Sequence, residues 1–251
     1  MKPTPEDYYN GIPIDDHPVC EDNLFRHNKI FTGIMREAVC IIDFQNRNFH
    51  DVSDHNFFLC GHSRGEAIRM GYKFFDKIIY PDDIYLWAKM HNAILKYLYE
   101  NEFEEEVLFF TCTIRIKTGI QLGKKLFYMV SFVEIIPVFI ENKLKYGLCL
   151  FSASAVETPG NLCVYLKGEE IYREYLFAKK KWIDKKMLEF TSREKEILVL
   201  YQQGLSRKNI AEKLYVSDST VKNIINKLKK KCNANNMMEA INKALIHRLI
   251  Y

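Results

Sequence analysis

TSREKEILVLYQQGLSRKNIAEKLYVSDSTVKNIINKLKKK, Thr191 to Lys231, decides how the chain is read. Thr191 followed three residues later by Glu194 is a capping box, so a helix opens there. EKEILVLYQQ continues it with Ile197, Leu198 and Tyr201 as the buried side, and Gly204 ends it. Ser206 caps a second short helix that turns Ile210, Ala211 and Leu214 inward, and Ser217 caps a third. NNMMEAINKALIHRL, further on, predicts a fourth helix packed behind. Two short helices joined by a tight turn, the second one basic, make a helix-turn-helix.

The third helix sorts its residues by function. On a wheel of about 100° per residue centred on Val221, Ile224, Ile225, Leu228 and Cys232 fall within about 60° on either side. That is a core stripe. Ser219, Lys222, Asn223, Asn226, Lys229 and Lys230 fall on the roughly opposite, polar arc. Lysine suits the O6 and N7 acceptors of guanine, and asparagine suits N6 and N7 of adenine. The expected base readers are therefore Lys222, Asn223 and Asn226, near the helix start. Arg207, Lys208, Ser219, Thr220, Lys229 and Lys230 suit phosphates, which hold register without reading sequence. The closing Lys229–Lys231 run is expected to grip phosphate in the same way.

The Thr-x-Arg-Glu opening, Gly-x-Ser before the second helix, the Ile-Ala pair and Ser-x-x-Thr-Val-Lys stand here in register. Together they resemble the LuxR-type (GerE-like) helix-turn-helix of bacterial transcription regulators. The resemblance runs from Phe190 to about His247. It implies a four-helix DNA-binding domain in which Lys222, Asn223 and Asn226 sit at base-contacting positions. Phe190, Ile224, Cys232 and Met237 depart from the residues usual there. The departures at Cys232 and Met237 bear on surface detail and not on fold.

Charge supports this division. Lys179 to Tyr251 holds 17 Lys+Arg against 7 Asp+Glu, whereas residues 1–178 hold 19 against 25. A basic part attracts phosphate whatever the sequence, and such asymmetry suggests a nucleic-acid module joined to something else. Seven cysteines, an odd number without a CxxC, read as reduced thiols of a cytoplasmic protein; neither a disulfide framework nor a metal site is expected. The N-terminal MKPTPEDYYNGIPIDD lacks an apolar core, so no signal peptide is expected. Leu126 to Ile140 is short for a membrane span and carries Glu134 and Pro137; it reads as a strand.

Upstream, Leu24, Phe31, Ile34 and Met35 have helical spacing over 21–36. AVCIIDF and NRNFHDVS predict two strands about a turn at Gln45–Asn46. Short helical pieces separated by Gly61, Gly65 and Gly71 follow. Pro81 with two acids then opens a long helix with Trp87, His91 and Ile94 on one side. Three antiparallel strands come next, with a turn bracketed by Gly119 and Gly123 and another at ENK. The middle strand is apolar on both faces: Phe127, Met129, Val133 and Ile135 on one, Leu126, Tyr128, Val130, Phe132 and Ile136 on the other. Such a strand needs two covers. The second cover is the N-terminal helix or a second subunit.

That order, with IIDF, FFDKIIYPDD and TIRIKTG, resembles a PAS domain from Ile34 to Ser154. The resemblance implies a sensory or dimerising domain whose small ligands sit between helices and sheet. LCGHSRG around Cys60 does not match a flavin-binding motif. His91 reads as a semi-buried histidine and not a haem ligand, and His50, His55 and His62 have no metal spacing, so no cofactor is expected. EFEEE, 102–106, reads as a solvated loop. There is no glycine-rich phosphate loop and no G-x-S-x-G, so an enzyme is not expected.

The fold class expected is α+β: a PAS-like antiparallel sheet with helices, then an all-α four-helix domain. The divisions are 1–33, an N-terminal extension or cap helix; 34–165, the PAS-like domain; 166–189, a connecting helix with a loop before it near Thr158–Asn161; and 190–251, the DNA-binding domain. The function expected is a homodimeric transcription regulator that binds double-stranded DNA and works with RNA polymerase, away from membranes. A small molecule or a protein partner would engage the PAS-like part. The alternatives are a quorum-sensing-type regulator of an acyl-homoserine-lactone-like ligand, or a PAS-like interaction module tethered to DNA.

Overall fold

The computed structural model describes residues 38–101, 106–122, 125–154, 156–247 and 249–250. The extension 1–33, the helix expected over 21–36 and all but the last residue of the acidic run 102–106 lie outside the described residues. The chain forms two compact units, Met1–Lys185 and Lys186–Tyr251.

In the first unit, β1 (Ala38–Asp43) and β2 (Asn48–Val52) form a hairpin. Asp43 closes its turn by accepting from the Asn46 backbone N–H at 2.9 Å and from the Asn46 side chain at 2.8 Å. Short helices α1 (Asn56–Leu59), α2 (Arg64–Met70) and α3 (Phe75–Ile78) follow. A 3₁₀ turn over Pro81–Asp83 then feeds the long α4 (Ile84–Glu100). β3 (Val107–Leu122), β4 (Lys125–Ile140) and β5 (Lys143–Ala153) are the expected meander. Glu141 and Asn142 both have positive φ, 51° and 63°, as a two-residue hairpin turn of primed type requires. The order of elements is the one expected for a PAS-like domain. The turn bracketed by Gly119 and Gly123 differs: the strand runs on through Gly119 to Leu122.

The connecting helix expected over 166–189 is a correction. This stretch is β-structure. β6 (Gly160–Leu166), which starts within the expected loop, pairs with β3. β7 (Ile171–Leu176) and β8 (Lys181–Lys186) extend the sheet, whose order is β2-β1-β5-β4-β3-β6-β7-β8. Ile171, Tyr175, Ala178 and Trp182 fit helical spacing, whereas the rows Ile171-Arg173-Tyr175 and Tyr172-Glu174-Leu176 each carry a charge at their centre and give only a broken two-residue period. Distant partners decide between them. Tyr172 stacks on Tyr165 across the register, with centroids 5.4 Å apart, and Trp182 lies 5.0 Å from Tyr97 of α4.

The core lies between α1–α4 and one face of the sheet. Phe58, Phe74, Ile78, Trp87, Met90 and Ile94 meet Ile42, Phe110, Cys112, Ile114, Val133 and Phe151 there. Removing one such aromatic costs about 3–5 kcal/mol. Of the two apolar faces of β4, the one with Val133 and Ile135 is buried in this core, while Val130, Phe132 and Ile136 on the other stay half-exposed. α4 is fastened to the sheet at its start. Asp83, 3% exposed, accepts from Arg115 of β3 at 2.8 Å, and the guanidinium lies 4.0 Å from the Tyr80 ring centroid. His91 is not semi-buried as expected; it is 1% exposed, packed against Trp87 at 4.6 Å and Tyr72 at 5.7 Å. Burial alone holds its imidazole down to about 4. Among the described residues no helix is long and apolar enough to cross a membrane, and no cluster of His, Cys, Asp or Glu has metal-binding geometry.

Candidate nucleic-acid interface

The second unit is four helices: α5 (Ser192–Gln202), α6 (Arg207–Lys213), α7 (Asp218–Lys231) and α8 (Met237–Ile246). Each begins at a side chain that accepts a backbone N–H: Thr191 from Glu194, Ser206 from Asn209, Ser217 from Thr220 and Asn236 from Glu239. Each such cap stabilises by about 1 kcal/mol. Gly204, at φ 83°, turns the chain out of α5 in a conformation that a Cβ would strain.

Ile197, Leu198, Ile210, Ala211, Val221, Leu228, Cys232 and Ile241 form the core of this unit. Leu200 joins them, and Tyr201 is only half-buried. On α7 the buried stripe is Val221, Leu228 and Cys232, with Ile224 and Ile225 half-buried along its rim. Lys222, Asn223 and Asn226 are all exposed, on the arc away from Val221 and Leu228. The three expected base readers therefore share one open surface near the N-terminal half of α7.

The residues expected at phosphates divide into three groups. Lys208 and Lys230 are exposed and Lys229 is half-buried. Arg207 uses its Nε to hold Asp218 of α7 at 2.7 Å, which ties the two helices of the motif together. Arginine carries five donors, so its terminal N–H groups can serve other acceptors. Ser217, Ser219 and Thr220 form a hydroxyl cluster at 2.7 and 2.8 Å. Three hydroxyls have three protons and share two mutual bonds, so one proton is left for an outside acceptor. Lys231 departs from the expected phosphate grip. Its ammonium binds Glu194 at 3.0 Å and lies 5.3 Å from the Phe190 ring centroid, so it clamps the end of α7 to the start of α5. The backbone hydrogen bond from Thr191 and the Lys231 contact hold the Glu194 carboxyl below its ordinary range, against the opposing effect of burial. The lysines in the last turn of α7 also complement the helix dipole.

Two supporting roles were not anticipated. Arg193 donates to the Leu214 carbonyl at the end of α6 at 2.8 Å, and Glu194 serves both cap and clamp. The Thr-x-Arg-Glu opening reads as a cap in sequence. Nothing local indicates that its Arg and Glu also position α6 and α7.

Residues 188–244 match the family described as bacterial regulatory proteins, luxR family. The uncharacterized transcriptional regulatory protein YxjL of Bacillus subtilis (strain 168) is 46% identical over 52 residues, 21% of this chain and 24% of its own length. Transcriptional regulatory protein DesR of the same organism is 26% identical over 138 residues, 51% of this chain and 67% of its own. The chain thus spans about a quarter of the first relative and two thirds of the second. A solved LuxR-type receptor, the VqmA dimer of Vibrio cholerae in the absence of target DNA, aligns over 89% of this chain and 88% of its own at 16% identity and TM-score 0.36. The VqmA–ligand–DNA complex aligns over 91% and 90% at 15% identity and the same TM-score. Taken with the caps, the inward stripe and the open polar arc of α7, the match over 188–244 makes the C-terminal unit a LuxR-family helix-turn-helix domain.

Proposed function

We propose that this protein is a cytoplasmic, homodimeric transcription regulator that reads duplex DNA with α7 under the control of a PAS-like sensory unit. The observation that carries the reading is the exposure of Lys222, Asn223 and Asn226 on one arc of a capped helix whose other side is core. In this reading those three side chains meet base edges in the major groove. Arg207, Lys208, Ser219, Thr220, Lys229 and Lys230 meet the backbone and fix register. The first unit supplies input. Its support is the PAS-like order of elements and a closed aromatic shell around Trp87 and His91, where the Trp87 indole N–H finds no acceptor among the described residues. A small molecule or partner protein that shifts this unit would bias how two α7 helices address two half-sites, and RNA polymerase responds downstream.

Binding-site selection with the purified protein, followed by titration of cognate and random duplexes, tests the reading. Asn226→Ala is expected to lose preference for the cognate duplex by ~1–3 kcal/mol while binding random DNA as before. Lys230→Ala is expected to weaken both alike and flatten the salt dependence. Equal losses on both duplexes for Asn226→Ala would remove it from the readers.

A further inference from the structure

The hairpin β7–β8 is an unusual edge for the first unit. Residues 171–186 carry six Lys+Arg against two acids, in a unit that is otherwise acidic. Both acids are occupied within the hairpin: Asp184 by Arg173 at 3.1 Å and Glu174 by Lys185 at 3.4 Å. Lys179, Lys180 and Lys181, at the turn, are exposed and form no ion pair with a described residue. Lys180 has φ 50°, the left-handed region where glycine or asparagine costs least.

The strands that flank the turn are packed against α4. Trp182 packs on Tyr97 at 5.0 Å and on Tyr175 at 5.1 Å, and Arg173 donates to the Tyr97 hydroxyl. The lysines therefore extend from α4 and the sheet and not from a loose linker. Chain length alone bounds their distance from the DNA-binding unit. Lys186 ends β8 and Thr191 caps α5. Five residues at up to about 3.6 Å each reach at most about 18 Å. The six residues of β8 add about 17–20 Å. The chain from Lys181 to the start of α5 can therefore span at most about 38 Å, little more than one turn of duplex.

We propose that the Lys179–Lys181 turn is a second DNA contact, gripping the sugar-phosphate backbone beside the site read by α7, so that the sensory unit itself touches the operator. This rests on the DNA-reading function proposed above. The occupant is a polyanionic backbone and not a base edge, because flexible ammonium groups at a turn offer point charges without bidentate geometry. The contact gives signal-dependent movement of the first unit a direct path to DNA, alongside the short connection to α5.

The test uses the full chain with Lys179, Lys180 and Lys181 all changed to Gln, titrated across a salt series. One duplex extends about two helical turns beyond the cognate site on each side and another is trimmed to the site; a random duplex of the longer length is the third. The expected result is about tenfold weaker binding to both long duplexes near 0.1 M salt, with their ratio unchanged. The log–log salt slope falls by about two to three, roughly one unit for every phosphate that is no longer neutralised. The deficit vanishes on the trimmed duplex, and the triple Lys→Arg variant keeps the original slope. A Gln variant with the unaltered protein's slope on the long duplexes overturns the proposal, even if Asn226→Ala still loses sequence preference. Failure of the DNA-reading function looks different: the unaltered protein then holds cognate and random duplexes equally. An unaltered protein that binds no duplex at any salt overturns both.

Discussion

Every helix of the C-terminal unit starts on a side chain that takes up a backbone N–H, but the long helix of the N-terminal unit does not. Its cap position holds Asp83, the kind of residue that caps well, yet both carboxylate oxygens of Asp83 are given to Arg115, thirty-two residues away on β3. Similar chemistry serves two purposes. In the small unit it sets where each helix begins, while Asp218 and Lys231 tie α7 to Arg207 and Glu194. In the large unit the short α1 and α2 are still capped by His55 and Ser63, but at α4 the carboxylate joins helix to sheet, and the order of the core depends on contacts remote in sequence. The small unit should therefore lose stability in increments when its polar groups are removed, and the large one in large steps.

The largest effect on this contrast is expected from Arg115→Met. It leaves the buried Asp83 carboxylate without its partner, and the N-terminal unit should lose about 3 kcal/mol in urea titration. A loss under about 1 kcal/mol would mean that the pair is dispensable and that the two units are held in much the same way. Acid probes the contrast next. Burial lowers His91 to about 4 in the first unit, and burial with Lys243 nearby lowers His247 to about 4 in the second. Each folded site favours the neutral ring, so stability is full above the unfolded value near 6.5 and falls as the pH drops from there toward 4, by up to about 3 kcal/mol for the fully buried His91. Glu194, held below its ordinary value, contributes above about 4.5 and is lost only at lower pH. Hydrogen exchange followed unit by unit should show His91→Leu flattening the acid loss in the sheet unit and leaving that of the helical unit in place. Loss of acid sensitivity in both units together would show that they respond to acid as one. The smallest effect expected is from Thr191→Ala or Ser206→Ala, about 1 kcal/mol each, seen as faster exchange confined to the C-terminal unit. Faster exchange in β3 or α4 from either change would count against independent units.

The same contrast explains what could be read from sequence. Thr191, Ser206 and Ser217 announce their helices because a cap and its acceptor lie three residues apart, and the outward arc of Lys222, Asn223 and Asn226 follows once Val221 and Leu228 are known to be inside. The strands from Ala38 to Ala153 are legible through alternation and the turns at 45–46 and 141–142. The β7–β8 hairpin is not. Its apolar residues fit a helical period better than a strand period, and the deciding partners, Tyr165 and Tyr97, are brought near only by the fold. Lys231 misleads for a similar reason: a lysine at the end of a basic run looks solvent-bound until Glu194 and Phe190 are placed beside it.

Trp87 and Trp182 are the two tryptophans of the chain, and both belong to the first unit. Intrinsic indole emission is thus blind to the helix-turn-helix and reports the sheet unit alone, with Trp87 in its core and Trp182 on the hairpin. In the triple Lys→Gln protein, where the proposed DNA contact beside Trp182 is gone, a change in that emission on adding duplex DNA would be a signal passed from the DNA-binding unit to the sheet unit, linked by reciprocity to the regulation proposed above. A Trp87→Phe variant would leave a single optical reporter beside the lysine turn, in a protein that needs no attached dye.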